Sequence, residues 1–273
     1  MLGNVTDVED ILQETFIRWH QTPYEDIRSE RALLVTIVSR LCINYLESAR
    51  VQREEYVGQW LPEPVSTDPE SDPLASLMVD ESISMAFLLL LERLTPIERA
   101  VFLLREVFKY TYTEISTAVD QTEANCRQIF RRARQHVSTE RQRFKTTVSD
   151  HSNMLDLFIR TTRSGDIDGL LELLCSNVTL HSDGGGKARA IPNLISGAET
   201  VARLLVGVQR KLVPQEIVSR IMEINGAPGF VGYLNGKPYS VFTLEIEQER
   251  IRAIYVVTNP DKLSHLPELP VPG

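Results

Sequence analysis

Long apolar runs are missing from this chain. The longest, about Met85 to Leu91, falls well short of the ~18 residues that a membrane-spanning helix needs, so it reads as a buried helix and no membrane partner is expected. No secretory signal opens the sequence, so the cytoplasm is the expected compartment. Cysteine is scarce. Cys42, Cys126 and Cys175 are odd in number, far apart and never in Cys-x-x-Cys spacing. That excludes a disulfide framework and a cysteine zinc site and leaves buried apolar thiols as the expected state. The five histidines are scattered, so neither a metal nor another cofactor is expected.

Positive charge is short overall, and the formal net charge of −8 argues against a generic nucleic-acid coat. The charge is uneven, however. Residues 63–80 carry Glu63, Asp68, Glu70, Asp72 and Asp80 with no cation, whereas residues 127–145 carry Arg127, Arg131, Arg132, Arg134, Arg141, Arg143 and Lys145 against Glu140 alone. A basic stripe on an acidic chain points to one local polyanion site.

A length of 273 residues suggests about two domains. A capping box at Thr6 and Glu9 starts a first helix whose apolar face is Val8, Ile11, Leu12, Phe16 and Trp19. Its other face holds Asp7, Asp10, Gln13, Glu14 and Arg18, and Pro23 ends it. A second helix, about Ser29 to Glu55, has an apolar face of Leu33, Leu34, Ile37, Val38, Leu41, Tyr45 and Leu46, and bears Arg40, Asn44, Arg50 and Arg53 towards its end. Trp60-Leu61-Pro62-Glu63-Pro64 then opens a linker rich in Pro, Ser, Asp and Glu, long enough to let helical modules sit apart. Helices resume at about Leu74. Thr95-Pro96-Ile97-Glu98 and Thr111-Tyr112-Thr113-Glu114 are start signals, and Thr122 caps the next helix.

Three helices, the last two joined by a tight turn, make a helix-turn-helix candidate. In the last of them Cys126, Ile129, Phe130, Ala133 and Val137 form one apolar face. Glu123, Arg127, Gln128, Arg131, Arg134 and Gln135 fall on the other. Such a helix fits the major groove, where Arg reads guanine bidentately and also contacts phosphate. The bland reading is a solvated, salt-bridged helix, but acids to balance these arginines are nearly missing nearby.

After about Ser149 the texture changes. Helices at Asn153–Ser164 and Ile167–Cys175 precede a short strand, Val178–His181, and a Gly-rich turn. A further helix spans Gly197–Val213. Strands follow at Ile217–Ile224, Phe230–Leu234, Tyr239–Glu247 and Arg250–Thr258, with Asn235-Gly236 as a hairpin turn. Val241, Thr243, Glu245 and Glu247 alternating with Phe242, Leu244 and Ile246 indicate a half-buried strand.

Tyr112-Thr-Glu-Ile-Ser-Thr-Ala-Val119 followed by Glu123-Ala-Asn-Cys-Arg-Gln-Ile-Phe-Arg-Arg-Ala-Arg134 resembles the fourth sigma domain of extracytoplasmic-function sigma factors. Asp7-Val-Glu-Asp-Ile-Leu-Gln-Glu-Thr-Phe-Ile-Arg18 resembles the helix of sigma domain two that grips the polymerase clamp, and Arg40 to Arg53 resembles the helix that melts and reads the minus-ten element. Trp60-Leu-Pro-Glu-Pro64, Asp183-Gly-Gly-Gly-Lys187 and Asn259-Pro-Asp-Lys-Leu263 resemble the SigJ-like subgroup, whose members carry a SnoaL-like C-terminal domain.

The resemblance implies sigma domain two over 1–58, a linker over 59–73, sigma domain four over 74–145, an α+β SnoaL-like cone-shaped regulatory domain over 150–265, and a flexible tail over 266–273. It implies core RNA polymerase and promoter DNA as partners, with an unknown small ligand conceivable in the C-terminal domain. Polymerase would meet Asp7, Glu9, Asp10, Gln13 and Glu14. The minus-thirty-five element would meet Arg127, Gln128, Arg131, Arg132 and Arg134, and the minus-ten strand Arg40, Asn44, Arg50 and Arg53. Tyr45 could stack on a base, although its spacing more often marks core. Regulatory contacts would involve Trp60, Leu61, Pro62, Asp183, Gly184, Gly185, Gly186, Lys187, Asn259, Pro260 and Asp261, with Trp60 set against the C-terminal domain or capping the core of domain two.

Two departures stand out. In the family another helix precedes a Met-Leu-Gly segment, and here Met1-Leu2-Gly3 opens the sequence. Truncation or a misassigned start is implied, with a less fully covered core in domain two. Asp120 replaces the Gly usual in the turn between the reading helices, and Asp tolerates left-handed backbone.

Two enzyme-like readings compete. His181 and Asp183 share a strand face and could form an acid–base pair, or could stabilise a turn or docking surface. Gly184-Gly185-Gly186-Lys187 lacks phosphate-loop spacing and fits a tight turn needing positive φ. A sigma factor, a standalone helix-turn-helix repressor and a small-molecule enzyme are thus the functions to separate. The acidic first helix favours the sigma factor, because a simple repressor has no use for it.

Overall fold

A computed structural model of the chain describes residues 1–23, 25, 27, 29–54, 56–67, 84–141, 148–214 and 216–270. The chain divides into two compact units, Met1–Glu55 with Phe87–Gln142, and Tyr56–Ala86 with Arg143–Gly273. The expected start of a helix at Leu74, the acidic run Asp68–Asp80 and the basic residues Arg143 and Lys145 lie outside the described residues.

The first unit is helical. It holds α1 (Val5–Gln21), α2 (Glu30–Glu54), the main part of α3 (Met85–Glu92), α4 (Pro96–Phe102) with a π-helical continuation Leu103–Val107, α5 (Tyr112–Val119) and α6 (Glu123–Arg141). Helix α1 starts two residues earlier than the Thr6 box expects. Asn4 is its N-cap, its side chain accepting from the Asp7 amide at 3.3 Å, so Thr6 is already inside the helix. The inward face is also narrower than the pattern suggested. Ile11 and Thr15 are buried, while Leu12 and Phe16 are 56% and 60% exposed and Val8 and Ile17 are exposed too. The capping boxes at Thr95/Glu98 and Thr111/Glu114 form as expected, each side-chain oxygen accepting from the third backbone amide.

The two helical modules do not sit apart in this unit. Val35 and Ile43 of α2 pack against a core of Ala100, Val101, Leu104, Ile115, Ala118, Cys126 and Ile129. Arg99 is buried and ties the start of the chain to this core through the Met1 carbonyl and Glu92, each at 2.7 Å.

The second unit is α+β: α7 (Val148–Ser164), α8 (Ile167–Leu173), β1 (Leu174–Asp183), β2 (Ile195–Ser196), α9 (Ala198–Lys211), β3 (Val218–Ile224), β4 (Ala227–Leu234), β5 (Lys237–Glu247), β6 (Arg250–Val257) and α10 (Pro260–Leu263). The sheet order is β2-β1-β6-β5-β4-β3, antiparallel except for β1 with β6. Strand β1 is much longer than Val178–His181, and Cys175, half-exposed rather than buried, lies in it. Asn235 and Gly236 turn with φ of 52° and 77°, as a tight hairpin demands, and Asn225-Gly226 does the same between β3 and β4. Leu155, Phe158, Leu170, Val201, Leu205, Leu244, Ile246 and Ile254 fill the space between the helices and one sheet face.

The other sheet face is covered as well, which corrects the expectation of a half-buried β5. Val241 is 1% and Thr243 4% exposed, against 5% each for Leu244 and Ile246 on the opposite side. The cover includes the linker. Gln59 meets His181 on β1, while Ser66 bridges Ile224 on β3. Four strand steps, about 19 Å, separate these strands, and the chain from Gln59 to Ser66 reaches about 23 Å when extended. Residues 59–66 therefore cross the sheet. At the far edge the Thr67 amide donates to the Glu223 carbonyl at 3.0 Å and the Asn225 amide to the Val65 carbonyl at 2.8 Å, so the linker caps the end of an edge strand. The tail expected to be loose is partly pinned: Leu266 is buried, and the Leu269 amide donates to the Gly236 carbonyl at 2.8 Å.

Candidate functional site

Helix α6 presents the arrangement expected of a reading helix. Cys126, Ile129, Ala133 and Val137 are buried, while Arg127, Gln128, Arg131, Arg132 and Arg134 are exposed. Asp120 adopts the left-handed conformation, φ 54° and ψ 50°, and ends α5 without glycine. The Thr122 hydroxyl accepts from the Asn125 amide at 3.2 Å and starts α6. Arg127 is already engaged. Its Nη2 donates to Glu123 Oε2 at 2.9 Å, and its guanidinium carbon lies 5.0 Å above the centre of the Tyr112 ring. Glu123 also accepts from the Thr113 hydroxyl at 2.7 Å, and that bond, followed by Arg127, lowers its carboxyl pKa.

On α1, Glu9, Asp10 and Gln13 are exposed, while Asp7 and Glu14 are half-buried and Glu14 pairs with Arg18 at 2.7 Å. On α2, Asn44 is exposed, but Arg40 points to protein. Its Nε and Nη2 donate to the Ala118 and Thr117 carbonyls at 3.3 and 3.2 Å. Helix-end carbonyls lack intrahelical partners and carry partial negative charge, which is what draws the guanidinium there. The side chains of Arg50 and Arg53 lie outside the described residues.

The motifs Trp60–Pro64, Asp183–Lys187 and Asn259–Leu263 meet at Asp183, which is 0% exposed. Its Oδ1 accepts from the Tyr56 hydroxyl at 2.6 Å and the Gly185 amide at 3.0 Å. Its Oδ2 accepts from the Leu61 amide at 2.9 Å and Lys262 Nζ at 2.7 Å. A carboxylate offers about four acceptor sites, and all are filled. Lys262 Nζ also donates to the Leu61 carbonyl at 2.5 Å and lies 4.2 Å from the Trp60 ring centre. Asn259 caps α10 through the Asp261 amide and donates to the Tyr56 hydroxyl at 3.0 Å. Burial first, and then the Asp183 carboxylate, push the Tyr56 phenol well above its ordinary pKa. Lys187 reaches Asp261 at 2.5 Å on the exposed rim.

Gly185 turns with φ 60°, and a Cβ there would come within 2.3 Å of Asn259 Nδ2, so the loop needs glycine for its close approach to the Asn259 cap. His181 does not meet Asp183 as an acid–base pair; its Nδ1 faces Gln59 Oε1 at 3.1 Å and its ring lies 5.1 Å from that of Tyr255. Gly184, Gly186 and Pro260 shape the two loops, and Pro62 sits in the crossing segment. Sequence reasoning missed Tyr56, which it assigned to domain two, and Lys262, which it quoted within a motif without a role. A lysine two residues after a helix-capping Asn-Pro pair was the available signal.

Comparison with known proteins bears on these geometries. The Sigma-70 region 2 family matches residues 1–51 and the Sigma-70 region 4 family matches residues 84–137. The chain is 32% identical over 278 residues to the ECF RNA polymerase sigma factor SigJ of Mycobacterium tuberculosis, an alignment covering 98% of this chain and 88% of that one. The chain belongs to the extracytoplasmic-function sigma factors. A probable ECF RNA polymerase sigma factor of the same organism, SigI, is 31% identical over 268 residues, covering 97% and 89% of the two chains. The crystal structure of M. tuberculosis SigJ matches with a TM-score of 0.77 at 29% identity, covering 99% of this chain and 93% of that one. The architecture is thus the expected one, helical sigma domains followed by an α+β sheet domain. As a sigma factor the protein directs transcription initiation, with core RNA polymerase and promoter DNA as partners. Among the described residues, no helix is long and apolar enough to cross a membrane and no cluster of potential metal ligands occurs.

Proposed function

We propose that this sigma factor is regulated in cis by its C-terminal domain, which holds the linker between the two sigma domains through the Asp183–Lys262–Tyr56 lock. The observation that carries this reading is the saturated Asp183 carboxylate, two of whose four partners are Leu61 in the linker and Tyr56 just before it. A tether fixed at Tyr56–Thr67 constrains how far the helical modules can separate. Short tethers also keep a weak contact made by raising its effective concentration. A signal then needs to shift the balance between held and released linker by only a few kcal/mol.

In this reading Trp60, Leu61 and Pro62 are the held segment. Asp183–Lys187 and Asn259–Asp261 are the holders. Asp7, Glu9, Asp10, Gln13 and Glu14 face core polymerase. Arg127, Gln128, Arg131, Arg132 and Arg134 face the minus-thirty-five element, and Arg40, Asn44, Arg50 and Arg53 face the minus-ten strand. Arg40 would first have to leave the α5 carbonyls.

The test is in-vitro transcription by holoenzyme containing the full chain, as wild type, Tyr56→Phe and Lys262→Met. Limited proteolysis of residues 56–67 reports release of the linker. Release accompanied by a changed transcript yield supports the reading. Release with unchanged yield at every promoter would show that the domain is merely attached.

A further inference from the structure

The nose of the reading helix carries an acid, which is unexpected on a surface that must approach phosphate. Glu123 is the first residue of α6, and residues at that end of a recognition helix come closest to base edges. Its two oxygens are both occupied. Oε1 accepts from Thr113 Oγ1 on α5 at 2.7 Å, and Oε2 accepts from Arg127 Nη2 at 2.9 Å. Arg127 is held from a second direction by the Tyr112 ring, 5.0 Å away. Tyr112 is itself fixed by Arg105 at 4.8 Å on its face and by Phe130 edge-on at 6.3 Å. An ordinary i,i+4 surface pair has no such support from a neighbouring helix.

We infer that Glu123 is a positioning residue for promoter reading, which with Thr113 and Tyr112 sets the direction of the Arg127 guanidinium. The inference rests on the reading of α6 as the helix that meets the minus-thirty-five element. Guanidinium presents five N–H donors in a rigid fork, and one bond to Glu123 leaves a pair free for the N7 and O6 of guanine. An Arg fixed in this way has lost its rotamer freedom before DNA arrives, so less entropy is lost on binding. The acid itself repels phosphate. Its removal therefore has two effects of opposite sign: non-selective DNA affinity rises, and selectivity at the base read by Arg127 falls. A residue that merely stabilised the fold would change neither in that pattern.

The experiment uses holoenzyme made with the full chain and a pool of promoter duplexes randomised across the upstream element, with transcripts sequenced to give the base preference at each position. Wild type, Arg127→Ala, Glu123→Gln, Glu123→Asp and Thr113→Val are compared. Retention of non-selective linear duplex by each protein alone is measured at low salt. The expected result is that Arg127→Ala abolishes a guanine preference at one position. Glu123→Gln and Thr113→Val lower that same preference about fivefold, within the range that one bidentate contact supplies. Glu123→Gln raises non-selective retention, Thr113→Val does not, and Glu123→Asp restores part of the preference. If Arg127→Ala flattens the position while Glu123→Gln and Thr113→Val leave it intact, the positioning role is overturned and the reading helix stands. If Arg127→Ala changes no position, the assignment of Arg127 as a reader falls, and the positioning role with it.

Discussion

Two ion pairs of almost equal length do different work in this protein. Lys262 and Asp183 meet at 2.7 Å with side chains 6% and 0% exposed, whereas Arg127 and Glu123 meet at 2.9 Å with side chains 55% and 39% exposed. Distance does not separate them; solvent does. A buried charge that loses its partner keeps its desolvation cost, so breaking such a pair is expensive. An exposed pair is screened and adds little to stability, although it still fixes where a side chain points.

The largest effect should come from the buried member. Asp183→Asn keeps the shape but leaves Lys262 without its counter-charge and turns an amide N–H towards a donor. We expect the C-terminal unit to lose about 3–5 kcal/mol, read by urea unfolding through Trp60 fluorescence in a Trp19→Phe background. A loss under about 1 kcal/mol would make the lock exchangeable for neutral groups and erase the contrast.

Tyr56→Phe removes one hydroxyl from the same carboxylate and should cost about 1–2 kcal/mol. It should also expose the linker to protease. The Tyr56 phenol has a raised folded pKa, so its contribution is complete below the ordinary phenol value near 10 and is lost as pH rises through the folded value. An alkaline loss of stability that persists unchanged in Tyr56→Phe would assign that loss elsewhere.

His151 of α7 sharpens the comparison from the neutral side. Burial lowers its pKa, and its Nε2 is buried without a hydrogen-bond partner. A depressed folded pKa means stability that is present above the unfolded value, near 6.5, and lost as pH falls through the folded one. The urea midpoint should drop between pH 7 and pH 5, and drop less in His151→Phe. Equal slopes would show that the ring is charged in the folded protein.

The smallest effect belongs to the exposed pair. Glu123→Ala should leave the urea midpoint close to that of the wild type, because an exposed, screened pair adds little to stability. A drop comparable to that of Tyr56→Phe would make Glu123 a structural residue and remove the contrast.

The helix-turn-helix was legible because its signals are local. Thr95, Thr111 and Thr122 cap within three residues, and Cys126, Ile129, Ala133 and Val137 repeat at helical spacing, so no distant partner is needed to read them. The Asn235-Gly236 turn was legible for the same reason. The linker was not. Pro62 and Pro64 read as spacer, yet the strand bridge at Ser66 depends on Ile224, far along the chain, and no period in residues 59–67 announces it. The misreading of β5 follows: Thr243 and Val241 look like an outward face until the crossing segment lies over them. Helix α1 failed in the other direction. Its stripe marks every apolar side chain, and Leu12 and Phe16 remain open although they belong to that stripe. Arg40 was placed on DNA by the resemblance of Arg40 to Arg53 to a minus-ten helix, and only the carbonyls at the end of α5 explain where it points. The loops of the lock were found as motifs, but the buried Lys262 that joins them was passed over because lysine is seldom fully buried.

The crossing of the sheet by residues 59–66 bears on how such a gene could be taken apart. Val231, Val241 and Val257 lie on the sheet face that this segment helps to cover, and each is 1% exposed or less. A domain excised after α6 would uncover apolar surface and a strand end that the linker now closes, and such a fragment would be prone to self-association. The structural unit therefore begins at Tyr56, inside what the order of the motifs presents as the sigma portion. Recombination that exchanged the C-terminal domain between paralogues would succeed only where the breakpoint carried the linker with it. Drift in the linker and in the two loops of the fused domain would in turn have to be matched, residue against residue, across some two hundred positions of sequence.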